Sequence, residues 1–466
     1  MEHVSKEPTT VCHVLAVPFP SRGHINPMMN LCKSLLSKNR DILVTFVVSE
    51  EWFGFIGSEP KPDNIRFGTI PNDFTSELDR SGNYSPDFFE EVLRKMEAPV
   101  EQLIDRLEPP VTTIVYDTYL TFAVRVGNRR KIPLASFWTM PALVYSVFHH
   151  FDLLVQNRHF PINLLVLMMI LTEQGEERVD CIPGISSIRK VDLPTCLYGK
   201  GLDVLHRGLE AVSGVSKVQY LLLVSVYELE SHIIDALKEQ ISTPIYHIGP
   251  PIPYFKLEDN SGVNPSDNSY FQWLDSQPES SVLYVSQGSL HSATSAQLDE
   301  IAAGLRISGV RYFWVARKET PRFKDECGEK GLIVPWCDQL RVLCHPSIGG
   351  FWSHCGWNST SEAIFAGVPM LTFPIYWDQT PNSKQIVEDW KIGWRVKNKL
   401  EAHSLVPREE IAGIVRRFMS LESEEGKEMR KRAKKLSQVC RQAVQKGGSS
   451  DTDVQAFVND ISQCRK

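Results

Sequence analysis

Short runs of apolar, β-branched residues alternate along this chain with segments whose apolar positions recur at helical spacing. Val11 to Val17 reads as a strand. The next apolar set, Met28, Leu31, Leu35 and Leu36, reads as one face of a helix opened by Asn26-Pro27. Ile42 to Val48 and Thr113 to Tyr116 are further strands, the latter ended by Asp117. Continuous apolar strands separated by helices indicate a parallel sheet covered on both faces. After Pro250 the pattern breaks into a stretch rich in Pro, Ser, Asn and Asp, which has the composition of a linker. The alternation then resumes with strands at Val282–Ser286, Tyr312–Ala316, Leu332–Val334, Ile348–Ser353 and Met370–Phe373. Helices are predicted near Ser295–Arg306 and from about Ser359. The pattern gives an α/β chain of two doubly wound halves, a first domain over 1–248 and a second over 271–446. Residues 249–270 join them, and a last helix over 447–466 packs back on the first. In such folds ligands bind at the carboxyl ends of the strands, here between the halves. Leu164 to Leu171 is wholly apolar but far shorter than the ~20 residues of a bilayer span, so it reads as core or as the wall of a lipophilic pocket.

Composition narrows the classes. With 466 residues, two domains are the default. The net charge of −6 disfavours nucleic acid, which needs clustered Lys and Arg. Ten cysteines are scattered without a Cys-x-x-Cys pair, as in reduced cytosolic proteins rather than disulfide or zinc frameworks. The opening MEHVSKEPTT is charged and lacks an apolar centre, so no secretory leader is expected and a cytoplasmic location is. No transmembrane segment is predicted.

Candidate chemistry concentrates between Trp336 and Gln379, where four of the ten tryptophans fall. Ser353-His354-Cys355-Gly356-Trp357-Asn358-Ser359 follows a strand and opens a helix, whose free N–H groups and dipole suit a pyrophosphate. Gly356 would let the backbone approach it, and His354, Asn358 and Ser359 can donate hydrogen bonds. Ser359-x-x-Glu362 reads equally as a capping box. Trp336, just past a strand, can stack on a planar base or fill a core. Asp378-Gln379 can hold vicinal hydroxyls or start a helix. Ser286-Gln287-Gly288-Ser289 is a further phosphate-compatible loop after a strand.

These 44 residues, with PSRGHINP, VLYVSQGS, YFWVAR and GGSSDTDVQAFV elsewhere, resemble plant family 1 UDP-glycosyltransferases along nearly the whole chain. The resemblance implies the GT-B architecture, two Rossmann-like domains facing a cleft, with UDP-sugar in the second and the acceptor in the first. It implies that Trp336 stacks on uracil, Gln339 lies near the uridine and Glu362 takes the ribose hydroxyls. His354, Asn358, Ser359 and Ser289 would face the phosphates, and Trp357, Asp378 and Gln379 the sugar. Gln at the last position usually accompanies UDP-glucose in this family. His24, in Gly23-His24-Ile25-Asn26-Pro27, would be the catalytic base and Asp117 its orienting carboxylate. Imidazole suits the task because its pKa lies near working pH, and a carboxylate behind it fixes the tautomer.

The implied activity is inverting transfer of glucose to a hydroxyl or carboxyl of a small lipophilic acceptor of flavonoid, phenolic, terpenoid or hormone type, giving a β-glucoside. A pocket near Phe19, Trp138 and Tyr145 would receive it. A UDP-sugar epimerase or hydrolase, or a non-catalytic UDP-sugar binder, would share the phosphate loop. Retention of both His24 and Asp117 disfavours the binder. No cofactor and no metal are expected, Asp451-Thr452-Asp453 being read as a helix start, and a monomer is expected. The chain departs from the pattern at Gln287, where Phe is commoner, and at Cys337-Asp338, which replaces Ala-Pro.

Overall fold

The computed structural model describes residues 11–72, 86–160, 175–197, 202–257, 268–288, 293–324, 327–396 and 405–463. The apolar run 164–171 and Ser289 fall outside these residues. The first domain is built on β1 (His13–Val17), β2 (Leu43–Ser49), β3 (Ile65–Ile70), β4 (Thr113–Asp117) and β5 (Leu134–Trp138). A small antiparallel pair follows, β6 (Arg178–Val179) with β7 (Ile188–Arg189), and then β8 (Tyr220–Leu223) and β9 (Ile245–His247). Its seven-stranded sheet runs β3-β2-β1-β4-β5-β8-β9, parallel throughout. The second domain holds β10 (Val282–Ser286), β11 (Arg311–Val315), β12 (Gly331–Val334), β13 (Ile348–Ser353), β14 (Met370–Thr372) and β15 (Gly393–Arg395). Their order is β12-β11-β10-β13-β14-β15, again all parallel.

Each sheet is buried on both faces. In the first, Val14, Ala16, Val44 and Phe46 pack under one helical layer, while Leu15, Val17, Ile114 and Tyr116 face the other. In the second, Tyr284 and Phe351 lie on one side and Leu283, Val285, Trp314 and Trp352 on the other. This two-sided burial is why the strands read as continuous apolar runs instead of alternating. The strand order reverses between β1 and β4 and again between β10 and β13. The loops leaving these neighbours diverge and open a crevice in each domain.

The helix after β1, α1, spans Arg22–Lys38 and buries Ile25, Met28, Leu31, Cys32, Leu35 and Leu36. Its N-cap is Ser21, five residues before the cap expected at Asn26, and Pro27 lies inside the helix. Proline lacks the N–H that would bond the carbonyl four residues back. That carbonyl, on Gly23, instead accepts from Asn358 Nδ2 of the other domain at 2.9 Å. A contact across 335 residues thus makes the proline tolerable, which no local reading of the sequence supplies.

Further corrections concern helix starts. A helix at Asn268–Asp275 begins inside the stretch read as linker to residue 270. The helix expected from Ser359 begins at Trp357 with Gly356 as N-cap, so the capping box does not form. At the end of the chain, Ser449–Gln463 forms a helix that lays Val454, Phe457, Val458 and Ile461 onto the first domain, beside Cys12 and Leu31. Among the described residues no helix is long and apolar enough to cross a membrane.

Candidate active site

The two switch points face each other across a cleft of about 390 Å³. On the first-domain side, β1 leads into the first turn of α1, and β4 ends at Asp117. This juxtaposition puts His24 Nδ1 2.6 Å from Asp117 Oδ2. Asp117 is sealed at 1% exposure, while the imidazole is 20% exposed toward the cleft. The other carboxylate oxygen accepts the Tyr119 backbone N–H at 3.1 Å, which fixes the carboxylate plane. Thr139 Oγ1, just past β5, lies 3.2 Å from the same imidazole nitrogen. Phe19 packs against the ring at 5.4 Å. With Nδ1 held by a buried carboxylate, a proton taken up at Nε2 would give an ion pair in place of an isolated charge.

The second domain supplies the opposite wall. Ser353 ends β13, and Cys355 takes a left-handed φ of 68° before α2, the helix Trp357–Ala366. Asn382 Nδ2 donates to the Cys355 carbonyl at 2.8 Å and holds that turn. Gly356 caps the helix without a side-chain bond, which leaves first-turn N–H groups uncapped where Gly356, Trp357, Asn358 and Ser359 line the cleft. His354 stands between two glycines. A Cβ at Gly288 or at Gly356 would come within 2.5 Å of its Nε2, so glycine is needed at both positions for the imidazole to lie where it does. Gly288 also has a φ of 83°. Asn358 is engaged with the Gly23 carbonyl, one residue from His24, so it links the two walls.

One amide organises the deeper end. Gln339 Nε2 donates to Ser359 Oγ at 2.9 Å and to Glu362 Oε2 at 2.8 Å, while its Oε1 accepts from Tyr284 at 2.9 Å. Burial pushes Glu362 up to about 7. The Gln339 bond pulls it down and Asp338 pushes it further up. Trp336 stands at the mouth after β12, 54% exposed, which removes the alternative of a core tryptophan. At Cys337-Asp338 the structure gives a local reason for the departure. Asp338 caps the helix Gln339–Leu343 by accepting the Arg341 N–H, and Cys337 is buried beside Tyr284.

Asp378 and Gln379 border the cleft after Trp377, whose φ is 60°. Gln379 Oε1 accepts from the N–H groups of Ile375 and Tyr376 at 2.8 and 3.0 Å. Asp378 accepts from Asn382 at 2.8 Å. Burial pushes its carboxyl up to about 6, and the facing His24 draws it down.

Several expected residues lie elsewhere. Trp357 borders the cleft, but its indole is 5% exposed and packs among the first-domain core. Trp138 and Tyr145 do not line the cleft. Both are fully buried, Trp138 stacked on Tyr119 with its Nε1 donating to the Pro141 carbonyl, and Tyr145 packed edge-on behind it. Of the three aromatics proposed for the acceptor side, only Phe19 reaches the wall, joined there by Phe89, Tyr119, Thr139, Met140 and Trp377. Tyr119 and Thr139 carried a usable signal, since each follows the carboxyl end of a strand, β4 at the switch point and β5 beside it. Gln287 is 6% exposed and off the cleft wall, and among the described residues neither of its amide atoms has a partner. Asp451 pairs with Lys38, and Asp453 accepts the His247 N–H, so each carboxylate is spent on packing the last helix.

The sequence matches the family model for UDP-glucuronosyl and UDP-glucosyl transferases over residues 247–405. UDP-glycosyltransferase 87A1 of Arabidopsis thaliana is 49% identical over 448 residues, covering 96% of this chain and 100% of the relative. Its 87A2 counterpart is 47% identical over 465 residues, with 99% of each chain covered. Among solved structures, Os79 from O. sativa in complex with U2F and trichothecene aligns with a TM-score of 0.80 at 28% identity, over 96% of this chain and 100% of that one. Medicago truncatula UGT71G1 complexed with UDP-glucose aligns with a TM-score of 0.79 at 26% identity, covering 98% and 99%. With two parallel-sheet domains across a cleft, the fold is GT-B, and the chain belongs to the plant family 1 UDP-glycosyltransferases.

Proposed function

We propose that this enzyme transfers glucose from UDP-glucose, with inversion, to a hydroxyl or carboxyl of a small lipophilic acceptor. The observation that carries the reading is the His24–Asp117 pair at 2.6 Å, facing the N-terminus of α2 across the cleft. The acceptor oxygen attacks the anomeric carbon as His24 Nε2 takes its proton. The bond from that carbon to the β-phosphate oxygen breaks, and its electron pair leaves with UDP. Asp117 holds the imidazole tautomer and offsets the charge that develops on it. Attack from the first-domain side, with UDP leaving toward the second, gives the β-glucoside.

In this reading Trp336 stacks on uracil and Glu362 accepts from the ribose hydroxyls, with Gln339 holding Glu362 in place. The diphosphate meets the first-turn N–H groups of α2, His354 and Ser359. Asp378 and Gln379 face the sugar hydroxyls. Asn358 is already bonded to Gly23, so its part is to tie the phosphate helix to the helix carrying the base. The acceptor lies against Phe19, Phe89, Tyr119, Met140 and Trp377, a wall with many ring faces and few polar groups, which suits a flat or polycyclic apolar body.

UDP release from UDP-glucose, measured with and without a phenolic acceptor, tests the proposal. Release that depends on the acceptor, with a glucoside detected by mass spectrometry, supports it. Release at the same rate without acceptor would favour hydrolysis and overturn it.

A further inference from the structure

The uridine end and the sugar end of the donor site are built differently. Trp336, Gln339, Glu362 and Tyr284 all belong to the second domain, and Gln339 bonds both Glu362 and Tyr284. The loop carrying Asp378 and Gln379 is instead fastened to the first domain. Trp377 N–H donates to Thr195 Oγ1 at 2.6 Å, and Thr195 N–H donates to the Trp377 carbonyl at 3.0 Å. Thr380 Oγ1 donates to the Leu193 carbonyl at 2.8 Å. The Trp377 indole packs against the first-domain core, 6.3 Å from Tyr119. Two ion pairs flank the clasp, Arg395–Asp192 at 3.0 Å and Arg189–Glu388 at 3.2 Å.

The reason for so many fastenings is visible in the backbone. Trp377 has a φ of 60°, a conformation that a bulky side chain adopts only where its surroundings over-determine it. The reciprocal pair with Thr195 is that surrounding. Without it the peptide at Trp377 can relax toward ordinary φ values, and the two residues that follow would be re-aimed.

We infer that Thr195, a residue of the acceptor-side domain, is a positioning residue for the sugar subsite and helps to select the sugar. The inference rests on the donor-site reading above. Uridine is then bound by one domain alone, whereas the sugar is recognised only when the two domains are clasped. A donor whose hydroxyl pattern fails to fit the clasped loop is rejected at that second stage.

The test compares Thr195→Val, which keeps the shape and removes the hydroxyl, with Thr195→Ser, which keeps the hydroxyl. UDP affinity by calorimetry and kcat/KM for UDP-glucose and UDP-galactose are read for each. For Thr195→Val, UDP affinity should stay within about twofold of the parent, because no uridine contact changes. Loss of one partly buried hydrogen bond should lower kcat/KM for UDP-glucose by about tenfold and shrink the glucose-to-galactose ratio by a similar factor. Thr195→Ser should restore both. Unchanged kcat/KM and sugar ratio in Thr195→Val, with UDP affinity intact, would overturn the inference. So would a loss of UDP affinity in step with activity, which would mark a general packing defect. Trp336→Ala serves as an independent arm. If that variant keeps the parent's UDP affinity, the donor-site reading fails and takes this inference with it, whatever Thr195 does.

Discussion

Replacing Glu362 with Gln should stabilise the ligand-free protein and weaken its hold on UDP, and both effects come from one carboxyl. Glu362 sits on the second-domain wall of the cleft, bonded to Gln339 at 2.8 Å. Burial raises it from an ordinary 4.5 to about 7. A folded pKa about 2.5 pH units above the unfolded one corresponds to ~3 kcal/mol, at ~1.36 kcal/mol per unit. Below pH 4.5 the group is protonated in both states and costs nothing. As pH rises the unfolded chain ionises first, and the penalty on the folded state grows until the folded carboxyl ionises near pH 7. Stability is therefore fully present below the unfolded pKa and lost as pH rises through the folded one. Gln has the same shape without the charge and can still accept from Gln339. Its advantage over the parent should be near zero at pH 4.5 and approach ~3 kcal/mol at pH 8, which in a domain of this size is roughly 6–10 °C of melting temperature. Because the carboxyl edges a wet cleft, that figure is an upper one. UDP affinity at pH 8 should fall at least tenfold, since a charged acceptor for ribose hydroxyls contributes about 1.5–3 kcal/mol. Ligand-free melts of both proteins from pH 5 to 8, with UDP titrations at pH 8, make the comparison. A melting difference that does not change with pH, or a Gln variant that binds UDP as the parent does, would refute the reasoning.

Two further outcomes follow from the packing. Gly356→Ala places a methyl 2.5 Å from His354 Nε2 at a backbone angle alanine accepts, so the imidazole must move; kcat should drop by about ten- to a hundredfold with the melting temperature little changed. Gln287→Met removes a buried amide that has no partner among the described residues, and at ~1–3 kcal/mol per unsatisfied group it should raise the melting temperature while leaving kcat/KM for the donor within about twofold, because the side chain is off the cleft wall.

The strand pattern was legible because both faces of each sheet are buried, which leaves unbroken apolar runs that survive without any tertiary knowledge. The position of the cleft was legible through strand ends, since His24, Asp117, Gly288 and His354 lie at or just past strand ends at the two reversals of order, whereas the roles expected of His24 and Asp117 came from the family resemblance. What could not be read depends on contacts between distant segments. The start of α1 was misplaced because Pro27 looks like a first-turn residue, and only the amide of Asn358 reveals why it sits deeper. Trp138 and Tyr145 carry the same composition signal as a pocket wall, yet they face away from the cleft behind Tyr119. Trp336 had the opposite fate, a strand-end tryptophan left open at the mouth. The clasp between Thr195 and Trp377 had no sequence signal at all, because neither residue type nor spacing announces a φ of 60°.

The central claim is that His24, held by Asp117, removes the acceptor proton in a site that binds UDP independently. His24→Ala, assayed for acceptor-dependent UDP release and separately for UDP affinity by calorimetry, tests it most directly. Turnover should fall by at least ~10²–10⁴-fold, the usual share of a general base, with UDP affinity within about twofold of the parent. Turnover near the parent's in a variant that still binds UDP would contradict the account.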